Sequence, residues 1–335
     1  MSETHVSNPT KIFILAMGST VLFSLLNLGV KYAAESGVHF SQIMLFRCLL
    51  ALPVVLLLVS KQSSSQILLH TKRPWGHVIR AALGLSAMAC FFISFKLMPL
   101  GDATALHFAA PMVLTALSVP FLGEKVGPWR WSAVIFGLVG VIIVANPTGG
   151  GSQLGAFFAV LGATLSAISN LMVRKMGDTE HSLTIVFYFT MAGVIVSLIL
   201  CPFFWQPINT VWVFYALLSV GILGGIAQYL LTIAYAEAPA AYVSVFSYAS
   251  IVFAIGFDVI FWMHMPDWNV WVGSTIIVGS GLIILYREVI HKGRKARLSL
   301  YGLTPIRPTP ADLKKDHPRR RKTDRVNNQE NIIKD

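Results

Sequence analysis

Asn27-Leu-Gly-Val-Lys31 stands near the end of the first long apolar run, and Asn170-Leu-Met-Val-Arg174 stands 143 positions later, near the end of the sixth. The same offset pairs Phe46 with Phe189. An offset of 139 pairs Gly101-Asp-Ala-Thr104 with Ala240-Ala-Tyr-Val243, Trp129 with Trp268 and Gly140 with Gly279. The change of four between the two offsets is one shortened loop, so the order of features repeats along the chain.

Working outward from that pair, ten apolar segments can be cut at about 11–33, 39–60, 76–97, 102–122, 129–146, 153–174, 183–204, 211–235, 240–262 and 268–287. Each is close to the roughly 20 residues that cross a bilayer as helix. The joins are short and carry Gly, Pro, Asn and Asp, as in Met98-Pro-Leu-Gly-Asp102 and Asn146-Pro-Thr-Gly-Gly-Gly151. Five segments per copy is an odd number, so the second copy enters the membrane upside down relative to the first. The expectation is an all-α polytopic membrane protein of ten transmembrane helices in two inverted five-helix repeats. These occupy 11–147 and 153–287, with a short cytoplasmic segment at 1–10 and a tail at 288–335.

Of 335 residues, 55% are hydrophobic and 12% charged, about half the charge density of a soluble globular chain. The net charge of +11 would suit a nucleic-acid binder if it were spread over a folded surface. Instead, residues 287–335 hold 14 Lys and Arg against 6 acids, which leaves only +3 for everything before them. We therefore expect no nucleic-acid partner. The other basic residues gather after even-numbered spans: Lys61, Lys72, Arg73 and Arg80, then Lys125 and Arg130, then Arg174 and Lys175. Lys and Arg are retained on the cytoplasmic side, so both termini are expected in the cytoplasm and the protein in the inner (plasma) membrane. The tail reads as disordered and able to lie on anionic lipid headgroups, worth about 1 kcal/mol per basic residue near the surface. The first apolar run is longer than a signal-peptide core and reads as an anchor. Cys48, Cys90 and Cys201 sit in apolar runs without CxxC spacing and read as buried thiols; no metal or cofactor is expected.

Several passages resemble the drug/metabolite transporter superfamily, in its EamA-type branch. They are Phe46-Arg47, Arg73-Pro74 through Arg80, Leu97-Met-Pro-Leu-Gly-Asp-Ala-Thr-Ala105 running to Pro111, Phe121-Leu-Gly-Glu124, Gly137-Leu-Val-Gly-Val141 and Asn146-Pro147. The second copy shows Ala234-Tyr-Ala-Glu-Ala-Pro-Ala240, Phe246-Ser-Tyr248 and Gly279 through Arg287. The nearest similarity is to the subgroup with riboflavin and S-adenosylmethionine uptake proteins. The resemblance implies a carrier of a small organic metabolite: amino-acid-like, a vitamin or a nucleoside-like cofactor. Two departures lie in the second half, where Ser250 replaces a common proline and Met263-His264 a common Gly-Glu; they put a kink in span nine in question.

Ionisable and amide side chains inside spans are functional candidates, because each charged one costs about 2.5–3.5 kcal/mol at a span centre. Arg47 lies deep in span two and either binds an anionic group, holds an acid that changes partner, or pairs structurally. Thr20, Ser24, Asn27 and Lys31 fall on one helical stripe, and Asn170 with Arg174 repeats its end, which suggests a gate at each face or plain interhelical bonding. His107 shares a face with Thr104, Pro111, Thr115 and Ser118; Pro111 would free a carbonyl near it. Gln228 and Tyr229 in span eight, and Ser247 and Tyr248 in span nine, complete the candidate substrate contacts. The expected cavity lies between spans three, four, eight and nine, with Trp262, Tyr242 and Phe246 available for stacking. Lys31, Arg174, Asp258 and His264 are the coupling or gating candidates; a desolvated Asp or a His could carry protons. An intramembrane enzyme or a channel acting on a small polar or lipid-linked substrate is the alternative, but no GxSxG, HExxH or paired DxD motif is present.

Overall fold

The computed structural model describes residues 9–60, 70–122, 127–146, 152–176, 179–237 and 240–283, all helix and short connections. The helices are α1 (Pro9–Glu35), α2 (Phe40–Ser60), α3 (Pro74–Leu97), α4 (Leu100–His107), α5 (Ala109–Leu122), α6 (Pro128–Ala145), α7 (Gln153–Met176), α8 (Ser182–Phe204), α9 (Val211–Glu237), α10 (Ala240–Ser247) and α11 (Ala249–Trp262). A last apolar helix, α12, covers Trp268–Ile283. The basic tail and residues 1–8 of the N-terminal segment lie outside the described residues.

Local chemistry sets the ends. Proline opens α3 and α6 at the first helical position, where its missing N–H is no loss. Gly37, at φ 91°, turns the chain from α1 into α2. Among the described residues, eight helical stretches are long and apolar enough to cross a membrane, and Trp131–Ala145 and Trp268–Ile283 are shorter apolar helices. Outward-facing Leu57, Phe136, Ile142, Ile199 and Val252 are exposed, as lipid-facing side chains would be. Trp75 and Trp129 are exposed at one end of the bundle, and Trp205, Trp212 and Trp268 at the other, which matches two interfacial aromatic belts.

Two of the expected spans, 102–122 and 240–262, keep an apolar stretch long enough to cross a membrane, but the helix in each is interrupted, at Phe108 and at Tyr248. In the first, Pro111 has no N–H to give the His107 carbonyl, and Phe108 closes a tighter turn onto Ala105. In the second no proline is present. Tyr248 instead packs its ring on Phe108, 4.7 Å away and 26° from parallel, and its hydroxyl occupies space that only a glycine at 281 leaves. The two interruptions therefore meet each other.

Helices pair across the two halves of the chain. α3 runs along α7 and α1 along α9, while α2 packs on both α8 and α9. α4 and α5 also lie on α7, and α10 and α11 on α1. Two bundles result: α1, α9, α10 and α11 form one, and α3, α4, α5 and α7 the other, with α2 and α8 alongside. α6 crosses α12 through glycines: a Cβ on Gly140 would stand 2.9 Å from the Gly273 carbonyl oxygen.

Candidate functional site

Between the bundles lie two adjoining hollows, of about 230 Å³ and about 100 Å³, which share Arg47, Arg80, Met88 and Phe189. The larger takes Phe23 and Asn27 from α1, Phe91 from α3, His107 from the end of α4, and Ser166 and Asn170 from α7. The smaller takes Thr190 from α8 and Gly224, Gln228 and Tyr229 from α9. Among the described residues lining either hollow there is no Asp or Glu.

Arg47 comes in from α2, seven residues past Phe40 and so about 10 Å along the helix. Its guanidinium reaches α9 because Gly224 has no side chain; a Cβ there would lie 2.8 Å from Nη1. Arg80 comes from α3. Its guanidinium carbon sits 3.8 Å from the centre of the Phe189 ring, and its buried Nε and Nη1 have no hydrogen-bond partner. Ser169 donates to the Arg80 carbonyl at 3.2 Å, which fastens α3 to α7 beside it. The His107 ring lies 3.5 Å from that of Phe91, and its buried Nε2 also lacks a partner. The arrangement offers two cations and neutral donors inside an aromatic wall.

Six of the eight substrate-contact candidates come together here: Arg47, Asn27, His107, Asn170, Gln228 and Tyr229. Ser247 and Tyr248 do not line the hollows, and none of the described residues of span nine is part of the lining, whereas the expected cavity included that span. Spans one, two, six and seven supply much of it instead. Thr20 and Ser24 turn their hydroxyls to the α1 carbonyls of Ala16 and Thr20. Phe246 packs edge-on against Phe13, away from the site, and Trp262 lies at the far end. The side chains of Arg174 and Tyr242 lie outside the described residues. Arg80 and Phe189 were missed as site residues. Arg80 falls within the expected span 76–97 yet is grouped with the orientation cations, and six residues past Pro74 it lies inside α3; Phe189 is visible in the sequence only as the repeat mate of Phe46.

A second cluster closes the end of the bundle where α1 and α3 finish. Lys31, 4% exposed, donates to the carbonyl of Met98 at 2.9 Å and that of Phe95 at 3.5 Å, pairs with Glu35 at 3.2 Å and lies 4.9 Å from the centre of the Trp262 ring. Trp262 donates its indole N–H to Glu35. Asp258, 1% exposed, accepts from the N–H groups of Leu100 at 3.0 Å and Gly101 at 2.7 Å. It thus caps α4, whose own N-cap, Pro99, has no side chain to do so. Both contacts run from the α1 bundle to the α3 bundle. His264 follows as an exposed residue.

α8 is held at both ends, by α2 at one and by the segment leading into α3 at the other. Where α2 begins, Gln42 exchanges two hydrogen bonds of 2.9 Å with the backbone of Gln206, and His39 stacks on Phe204 at 4.6 Å. Burial and the charge of Lys96 hold His39 below its ordinary pKa. At the opposite end, Glu180 accepts from the N–H of Lys72 at 2.8 Å, the N–H of Arg73 at 3.1 Å and the hydroxyl of Thr71 at 3.0 Å. Burial alone would raise its carboxyl, but these donors and His77 outweigh that and hold it below the usual carboxylate range.

The chain matches the EamA-like transporter family twice, over residues 10–146 and 153–286. It is 29% identical over 230 residues to a riboflavin transporter of Rhizobium johnstonii, covering 68% of this chain and 76% of that protein. It is 26% identical over 269 residues to the pseudopaline exporter CntI of Pseudomonas aeruginosa, covering 79% and 92%. A crystal structure 19% identical in sequence superposes with a TM-score of 0.57 over 83% of this chain and 98% of its own, a likeness of fold.

Proposed function

The chain belongs to the EamA-like transporter family, and from that premise we propose that it is a secondary active carrier of a small organic metabolite working by alternating access. It is a multi-pass membrane protein and not an enzyme. The observation that carries the reading is the placement of the central cavity between two bundles that meet at one end through Lys31 and Asp258. If those contacts part while the opposite end closes, the same lining faces the other side of the membrane.

The repeat supports this reading. α3 on α7 and α1 on α9 are the pairings that exchange when the two halves 11–147 and 153–287 are swapped, as an inverted repeat requires. The basic residues favour cytoplasmic termini in an inner membrane, which makes the Lys31 end the outer one. Asn27, Arg47, His107, Asn170, Gln228 and Tyr229 would contact substrate. Lys31 and Asp258 would gate the outer end, and Arg174, the repeat mate of Lys31, the inner. Ser247, Tyr248 and His264 would serve the moving parts or coupling rather than the cavity.

The test is counterflow. Purified protein in liposomes loaded with an unlabelled metabolite should accumulate the labelled form transiently, and Arg47→Ala should abolish this while still reconstituting. Exchange that persists unchanged in that variant would remove Arg47 from the site.

A further inference from the structure

Two guanidiniums share one cavity whose described lining contains no carboxylate. Each is placed by a separate device. Gly224 admits Arg47, and the face of Phe189 supports Arg80, leaving Nε and Nη1 of Arg80 without a protein partner. A Cβ on Gly84 would stand 3.3 Å from Nη1 of Arg80 and 2.9 Å from the Phe189 ring, so a second glycine keeps room for that guanidinium. Two like charges lining one low-dielectric space repel each other, and the open N–H groups of Arg80 need acceptors. A carboxylate or phosphate answers both needs, because Arg presents a flat fork of donors matched to those anions. A cation would be rejected, and a neutral solute would leave the charge uncompensated.

The larger hollow also presents phenyl and imidazole faces, beside Leu26, Met88 and the hydroxyls of Ser166 and Ser169. Phe23, Phe91 and His107 wall it, with Asn27 and Asn170 as neutral polar groups. Flat apolar walls suit a planar ring. The volumes are at the small end for metabolite pockets, which favours one or two fused rings over a dinucleotide.

We infer that the cavity takes a soluble planar organic anion, its carboxylate or phosphate held between Arg47 and Arg80 and its ring against Phe23 and Phe91. This rests on the carrier reading for its biological sense, but binding can be measured apart from transport.

The experiment uses the full chain in detergent and follows thermal stabilisation by three probes with one ring and three charges: indole-3-acetate, indole-3-acetamide and tryptamine. Phenyl phosphate against phenol gives the phosphate arm. The anions should stabilise at millimolar concentration, with the neutral and cationic partners at least tenfold weaker. Arg47→Gln or Arg80→Gln should weaken the anions about ten- to a hundredfold, and Arg→Lys less. Stabilisation by tryptamine or the amide equal to that by the acid would overturn the inference, and so would no stabilisation by any anion. The wild-type comparison stands even if a variant fails to fold. A further arm adds phosphatidylglycerol to phosphatidylcholine nanodiscs; stabilisation that soluble anions cannot compete away would put the anion on a lipid headgroup and overturn the soluble assignment. Counterflow separates the two readings. Exchange of a neutral solute but of no anion leaves the carrier and removes the anion, whereas anion binding without exchange of any solute does the reverse.

Discussion

Lys31→Met tests the closure at the end of α1 with the least disturbance, because methionine keeps the apolar stem and removes only the charge and its donors. The contact to the Met98 carbonyl, at 2.9 Å, is a charge-assisted bond of about 1.5–3 kcal/mol. The Phe95 carbonyl at 3.5 Å adds little. Glu35 is one-third exposed, so its pairing is worth about 0.2–1 kcal/mol, and the Trp262 ring adds about 1 kcal/mol. Against these stands the cost of burying the ammonium, which the variant no longer bears. A net loss of about 2 kcal/mol shifts the equilibrium between open and closed ends about thirtyfold. The assay places a cysteine at Asn27, which lines the larger hollow, and times its modification by a membrane-impermeant methanethiosulfonate added on the Lys31 side. Cys90 and Cys201 are buried, and Cys48, which lines the adjoining smaller hollow, is replaced by alanine in the assay background. Labelling should be at least tenfold faster in the Lys31→Met background, and slower from the opposite side. An unchanged rate from both sides would refute the gate and leave Lys31 a purely structural tie.

Glu180→Gln should lower thermal stability by about 2 kcal/mol, since three donors lose a charged acceptor in a side chain only 2% exposed. Because the folded carboxyl is held below its ordinary value of about 4.3, its stabilisation is present in full only above that value and fades as pH falls through the depressed one; a melting series from pH 7 to pH 3 should show this slope in the wild type and not in the variant. Gly140→Val should destabilise by about 1–3 kcal/mol in a detergent melt, because its Cβ meets the Gly273 carbonyl oxygen and Ile277 rather than a movable side-chain tip. Gly224→Ala should act differently: the group it meets includes the flexible end of Arg47, so anion binding should weaken about tenfold with little change in melting temperature.

The spans were legible because length and apolarity alone determine what crosses a bilayer, and the repeat was legible because loop residues, Trp and Gly recur at fixed offsets. The interruption at Phe108 could be anticipated from Pro111, whereas the one at Tyr248 could not, since it arises from a ring on Phe108 and the space at Gly281, contacts between residues 140 and 33 positions apart. The capping of α4 by Asp258 was hidden for the same reason, although Pro99 at the N-cap was a sign that some remote group must serve. In the site, amides and Arg47 stood out against an apolar background. Phe23, Phe91 and Phe189 did not, because a phenyl group in an apolar run reads alike whether it faces lipid, core or cavity.

The staples decide which seam can move. α2 is tied to the chain just past α8 by Gln42 and Gln206, and the start of α8 is tied by Glu180 to Thr71, Lys72 and Arg73, which lead into α3. With α8 held at both ends and α2 held to it at one, the α2–α8 pair is suited to be the axis of the proposed carrier. The seam between the α1 and α3 bundles is different, since the polar ties described above, Lys31 and Asp258, run from one bundle to the other at the same end. Within each bundle the helices pack along their length, α1 on α9 and α3 on α7, with Ser169 bonded across the latter. Rocking of two such bodies about the α2–α8 axis would carry Asn27 and Gln228 on one side and Arg80 and Asn170 on the other apart at one end and together at the other. Arg47 sits on α2, part of that axis, and would stay nearly still while the walls around it move. A fixed cation at the axis and a second on a moving wall is the arrangement in which an anion held by both can change its exposure without leaving the first.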